Sequence, residues 1–238
     1  MTEYVTTFAM RAGRVPHFAR QLAWLRDTAA VSPMRLAEVR DQLQELGGSR
    51  EVRPVIRADQ GAVSVSIRPL ATFGPENVLD ADPIPDHRAR PVFTGPDLGW
   101  QNRQLALLAN RELDEGLLVD ESGAVISGVR SSIFVIRPGE VIVPAHPRTT
   151  HSVTREAVLA LLAERGVTVT ARPQGMTIPE VRTNETWTVN AVAGVRQVTG
   201  WAEYGSVLTA PTLAEAERSG VPTAAALEVL RWDQAETV

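Results

Sequence analysis

The chain has no lysine and no cysteine, and these two absences remove much of the chemistry open to an enzyme. All 24 basic residues are arginine. No side-chain amine can condense with a carbonyl, so Schiff-base catalysis by a lysine is excluded. Without cysteine there are no disulfides, thiolate nucleophiles or thiolate metal ligands. Long apolar runs are missing too: none approaches the roughly 18 residues that a spanning helix needs. Residues 1–14 hold no apolar stretch of the kind that directs secretion. A cytoplasmic chain with no membrane partner is the expectation. Nor is there an excess of basic charge, since 24 basic residues face 28 acidic ones for a net charge of -4, which points away from nucleic acid. His17 and His87 are too far in sequence from a second ligand, and HExxH, phosphate-loop and GxGxxG patterns do not occur, so no metal is expected.

What is present suits a folded protein of one large or two small domains. Its 238 residues are 44% hydrophobic and 22% charged, which excludes general disorder. Residues 3–10 read as a strand. Phe18, Leu22, Leu25 and Ala29 then mark one apolar face of a helix, with Arg20 and Trp24 on another face. Ser32-Pro33 supplies the start of a second helix that carries Leu36, Val39, Leu43 and Leu46 and stops at Gly47-Gly48. Residues 51–57 and 62–70 alternate as a hairpin about Asp59-Gln60-Gly61. Residues 74–97 are rich in Pro, Asp and Gly and read as a connection between lobes. The expected division is a small α/β lobe at 1–80, a connection at 81–98 and a large α/β lobe at 99–238. In that large lobe, helices are expected near 100–112 and 153–165, with strands at 116–119, 124–126, 132–136, 141–143, 167–171, 186–190 and 195–201.

Several stretches together resemble one family. They are Asp114-Glu115-Gly116-Leu117-Leu118-Val119-Asp120, then Gly123, then Ser131-Ser132-Ile133-Phe134-Val135. His17 and Arg20 near the start, Ser152-Val153-Thr154-Arg155, and Asn190-Ala191-Val192 followed by Gly194-Val195 add to them. Over nearly its whole length the chain is similar to the class IV aminotransferases, in particular to aminodeoxychorismate lyases and to D-amino-acid and branched-chain aminotransferases. The resemblance implies the α+β two-lobed architecture of fold type IV, here with an N-terminally trimmed small lobe, as a homodimer with pyridoxal phosphate (PLP) held between the lobes. It implies that Arg20 grips the cofactor phosphate, helped by the backbone N–H groups of Ser152, Val153 and Thr154 at a helix start.

Two departures set this chain apart from the pattern. Thr94, ahead of Gly95-Pro96-Asp97-Leu98, stands where the family has its catalytic lysine, and threonine forms no aldimine. Ser127 stands where the family has the glutamate that pairs with the pyridinium nitrogen and sustains its electron sink. No cofactor is therefore expected to be held covalently, while noncovalent PLP stays open. The resemblance and its departures lead to a PLP-independent enzyme that performs acid–base lyase, isomerase or hydrolytic chemistry on a small carboxylate. A noncatalytic metabolite- or partner-binding member is the alternative, and a noncovalent PLP enzyme is the third.

His151 is the candidate acid or base and Thr94 the candidate nucleophile or donor, set against an ordinary loop histidine and a space-filling threonine. His146 is a second candidate for the proton-transfer role. Arg20, Arg57, Arg130 and Asn190 are candidate carboxylate grips, with surface ion pairing as the plain alternative for the arginines. Asp97 reads as the cap of the helix that follows it.

Overall fold

The computed structural model describes residues 3–48 and 50–238. In chain order, β1 (Tyr4–Thr7), β2 (Met10–Arg11) and β3 (Arg14–Pro16) precede α1 (Phe18–Ala29) and α2 (Pro33–Gly47). The hairpin β4 (Glu51–Asp59) and β5 (Ala62–Pro69) follows, and then β6 (Glu76–Pro85) and α3 (Leu98–Ala109). The remainder runs β7 (Glu115–Val119), β8 (Val125–Gly128), β9 (Ser132–Arg137), β10 (Glu140–Pro144), α4 (Val153–Ala163), β11 (Thr168–Arg172), α5 (Ile178–Arg182), β12 (Glu185–Asn190), β13 (Gly194–Glu203), β14 (Ser206–Thr209), α6 (Ala224–Asp233) and β15 (Ala235–Thr237). A six-stranded sheet has the order β1-β4-β2-β3-β15 with β5 paired to β4. A nine-stranded sheet has the order β11-β10-β9-β12-β13-β6-β7-β8 with β14 paired to β13.

The small lobe forms for local reasons. Phe18, Leu22, Leu25 and Ala29 are buried at the spacing of one helical face, against Val39 and Leu43 of α2 and Ile56 and Ala58 of β4. Trp24 is buried with them, so the face of α1 is wider than the spacing alone suggests. The Ser32 hydroxyl accepts from Arg35 N at 3.3 Å, closing the first turn of α2 as a proper cap. The hairpin turn has only Gln60 and Gly61, both at positive φ (49° and 80°), the two-residue geometry that matches strand twist. That turn fixes the register and sets Arg53 directly opposite Arg68.

The large lobe is built around β9, whose first five residues are all buried. β9 lies between β10 and β12 and is covered on both faces, so its sequence is a continuous apolar run without alternation. Phe134 and Trp187 belong to one core cluster, and Ile133 and Val135 to another.

Two parts of the chain differ from the sequence expectation. Residues 76–85, assigned partly to the small lobe and partly to the connection, form β6, parallel to both β13 and β7 inside the large sheet. Leu79 and Ala81 enter the core there, while Asp80 is buried and paired with Arg111, so the acidic residues disguise a central strand. A register shift between Asp80 and Ile84 accommodates Pro83. The chain's last strand, β15, returns to the small sheet beside β3 instead of staying with the large lobe.

Candidate functional site

A cavity of about 360 Å³ opens between the two sheets. α3 contributes one face to it, since Leu98, Gln101, Asn102 and Leu105 recur at helical spacing and all line the cavity. β4 contributes every second residue, Arg53, Val55 and Arg57, because alternate strand side chains point to one side. Other sides come from β1, α1, the turn after β8, the start of α4 and the turn after β12.

One end of the cavity is made of backbone. Ser152 caps α4 by accepting from Arg155 N at 3.2 Å, and Val153 and Thr154 occupy the first turn, whose N–H groups have no acceptor within the helix. Facing them, the Asn190 side chain accepts from Val192 N (3.0 Å) and Ala193 N (2.7 Å), which curls the turn between β12 and β13. Its amide donates to Ser131 Oγ at 3.0 Å. Asn190 thus shapes the cavity wall, and its polar atoms are spent on the protein itself.

The floor is made of side chains. Glu115 is buried beneath the turn after β8, where its carboxylate accepts from Val129 N (2.8 Å), Ser131 Oγ (2.7 Å), Arg130 N and Gly116 N. Burial raises its pKa, and these four donors work in the other direction. Ser127 accepts from Arg88 Nη2 at 3.4 Å. Arg88 is itself almost wholly buried: it forks onto Asp86 at 2.8 and 3.1 Å and donates to Thr150 Oγ1 at 2.6 Å. Arg148 makes a second ion pair with Asp86. Burial opposes ionisation of Asp86, but the Arg88 and Arg148 guanidiniums outweigh it and hold this carboxyl below its ordinary range.

Thr94 lines the cavity, and its carbonyl accepts from Val5 N at 2.9 Å. Gly95 beside it has φ 133° and presses on β1 so closely that a Cβ would lie 2.2 Å from the Glu3 carbonyl oxygen. Only glycine fits this crossing.

Of the residues singled out in the sequence, Thr94, His151, Ser152, Val153, Thr154, Arg57, Arg130 and Asn190 all meet in the cavity. Arg20 does not: it is exposed and lines a neighbouring recess with Trp24, His151, Val153 and Glu156. His151 and Val153 border both spaces. Arg57 is paired with Glu3 at 2.6 Å, and Arg130 donates to Asn102 Oδ1 at 2.9 Å. His146 is outside the cavity and faces Asp120 at 3.4 Å. Asp97 does not cap α3 with its side chain; it accepts instead from Ala89 N (2.9 Å) and Arg90 N (2.8 Å), pinning the loop that leads to Thr94.

Sequence reasoning did not single out Arg53, Arg68, Arg88 or Glu115. The opposition of Arg53 and Arg68 follows from a two-residue turn at Gln60-Gly61 and was within reach of register arithmetic. Beyond its local pair with Asp86, Arg88 reaches Ser127 and Thr150, 39 and 62 residues away, which no local pattern encodes.

Residues 7–201 match the family described as amino-transferase class IV, and the chain belongs to that family. Its mixed α/β fold is that of fold type IV. Among solved structures it is similar to a fold IV transaminase from Curtobacterium pusillum, with TM-score 0.73, 18% identity, and coverage of 98% of this chain and 84% of that one. It is similar also to 4-amino-4-deoxychorismate lyase from Pseudomonas aeruginosa (TM-score 0.68, 19% identity, 92% and 88% covered). A third is the branched-chain aminotransferase from Thermoproteus uzoniensis (TM-score 0.69, 14% identity, 98% and 86% covered). No curated protein matches the chain in sequence.

The residues present do not fit PLP as a working cofactor. The chain contains no lysine to hold it. At Ser127 the cavity offers a neutral hydroxyl backed by the Arg88 guanidinium, with no carboxylate charge to stabilise a protonated pyridinium.

Proposed function

We propose that this chain takes a small carboxylate-bearing metabolite into the cavity and acts on it without PLP, by proton transfer in a lyase, isomerase or hydrolytic reaction. The observation that carries this reading is the cavity's charge. Arg53, Arg57, Arg68, Arg130 and Arg196 line it, against two carboxylates, Asp114 and Glu115. An arginine-lined, amine-free cavity attracts anions and has no means of forming an imine. His151 is the one histidine that borders the cavity, and imidazole is the side chain suited to moving a proton near neutrality. Thr94 supplies a hydroxyl to the same cavity.

A noncatalytic binding protein is the second reading. It is favoured by one observation: among the described residues no side chain bonds to the His151 imidazole, so nothing orients it as a base is usually oriented.

The test is incubation of the whole chain with a panel of amino-acid-derived and chorismate-like carboxylates, followed by proton NMR. Consumption of a compound, with a loss of about 100-fold or more in His151→Ala, supports the enzyme. Binding without consumption supports the second reading. Absence of any binding overturns both.

A further inference from the structure

The small-lobe wall of the cavity carries a charge arrangement that the fold does not need. Arg53 and Arg68 are directly opposed across β4 and β5, and both line the cavity. Like charges in that relation destabilise a hairpin. Neither guanidinium has a carboxylate partner among the described residues. The Arg53 Nε is buried and bonds to nothing there, which costs free energy that native structures rarely leave uncompensated. Arg130 completes the group from the large lobe: among the described residues its guanidinium bonds to the neutral Asn102 alone.

Arg53 stands between the other two. Burial lowers the pKa of Arg53, and Arg68 lowers it further. Burial likewise lowers that of Arg130, with Glu115 opposing and Arg53 reinforcing the shift. Arg57 and Arg196, also on the cavity wall, are neutralised by Glu3 and Asp114. Among the described residues, the cavity-wall arginines without an ion pair are thus Arg53, Arg68 and Arg130.

We propose that Arg53, Arg68 and Arg130 form a recognition site for a multiply anionic ligand, a di- or tricarboxylate. One of its anionic groups satisfies the arginine wall while another meets the first turn of α4 at Val153 and Thr154. A guanidinium matches a carboxylate with two parallel N–H bonds, and an anion placed between Arg53 and Arg68 turns their repulsion into attraction. The wall is then a feature kept for binding at a cost in hairpin stability. This inference rests on the carboxylate reading of the cavity given above and specifies its ligand class.

The experiment is calorimetric titration of the whole chain with butyrate, succinate and propane-1,2,3-tricarboxylate, for the native chain and for Arg53→Gln and Arg68→Gln. Succinate and the tricarboxylate are expected to bind at least tenfold more tightly than butyrate. Each substitution is expected to remove that advantage, weakening succinate and the tricarboxylate by at least tenfold. Thermal unfolding of the same proteins is the folding control: without ligand, Arg68→Gln melts at the same or a higher temperature than the native chain, because a repulsion is relieved. Equal affinity for butyrate and succinate, or variants that keep the preference, would overturn the inference and leave the carboxylate reading standing. No carboxylate binding at all, together with saturable PLP binding, would overturn both.

Discussion

The two ends of the cavity are built from different material. At the α4 end the polar groups are backbone amides, set in place by a Ser152 cap and by the Asn190 turn. At the floor they are side chains: Thr94, Ser127, and Arg88 behind Ser127. Amides at a helix start persist as long as the fold persists, and they suit any anion. Thr94 and Ser127 are two side chains, and each can be exchanged by a single substitution. The difference teaches why a scaffold can change its chemistry and keep its appetite for anions: the second belongs to the backbone and the first to a few side chains.

If the floor is organised by side chains, it is the fragile end. Replacing Arg88 by Met leaves Asp86 buried with only Arg148 beside it. A loss of about 3–5 kcal/mol in folding stability is expected, measured by urea unfolding. A loss below about 1 kcal/mol would mean that the Asp86 cluster is dispensable and the comparison is wrong.

The second test uses pH. His17 starts α1 at φ 58°, is buried, and its Nε2 has no partner among the described residues. Burial first, then Arg231 and Arg20, lower its pKa from 6.5 to about 4. The unfolded chain therefore binds a proton that the folded one refuses between those values. Stability from the neutral imidazole is complete above pH 6.5 and falls as pH drops toward 4, by up to about 3 kcal/mol in all. His17→Asn, which tolerates the left-handed backbone, should flatten that part of the stability–pH curve; an unchanged slope would show that His17 titrates normally.

A smaller effect is expected at Glu115, which ties the floor to the turn after β8. Glu115→Gln replaces an acceptor oxygen by an amide facing N–H donors, and a loss of about 1–3 kcal/mol is expected in urea unfolding. Smallest of the four is Ser152→Ala at the backbone end, where loss of the cap should cost about 1 kcal/mol by the same measurement. A larger loss at Ser152 than at Arg88 would invert the comparison.

The same contrast governs what could be read from the sequence. α1, α2, α4 and the β4–β5 hairpin were legible because apolar spacing, Ser caps and a glycine turn are local signals. β6 was not, because Asp80, Asp82, Pro83 and Pro85 spoil the strand pattern and only pairing with β7 and β13 makes it one. α6 and β15 were missed, since the ten residues of α6 bury only Ala224, Leu227 and Arg231. At the site, eight of the ten candidates meet in one cavity, whereas Arg20 lines the adjoining recess and His146 lies outside beside Asp120. The Arg53–Arg68 opposition follows from the hairpin register, whereas Arg130 beside it and the bonds of Arg88 to Ser127 and Thr150 join distant segments, which spacing along the chain does not carry.

The central claim is that this cavity has exchanged a cofactor for carboxylate ligands. Titration of the purified chain with PLP, followed by absorbance and calorimetry and set beside a succinate titration, tests it most directly. The account expects the spectrum of the free aldehyde throughout and no saturable heat with PLP, against saturable binding of succinate. Tight, saturable binding of PLP with no response to succinate would contradict it.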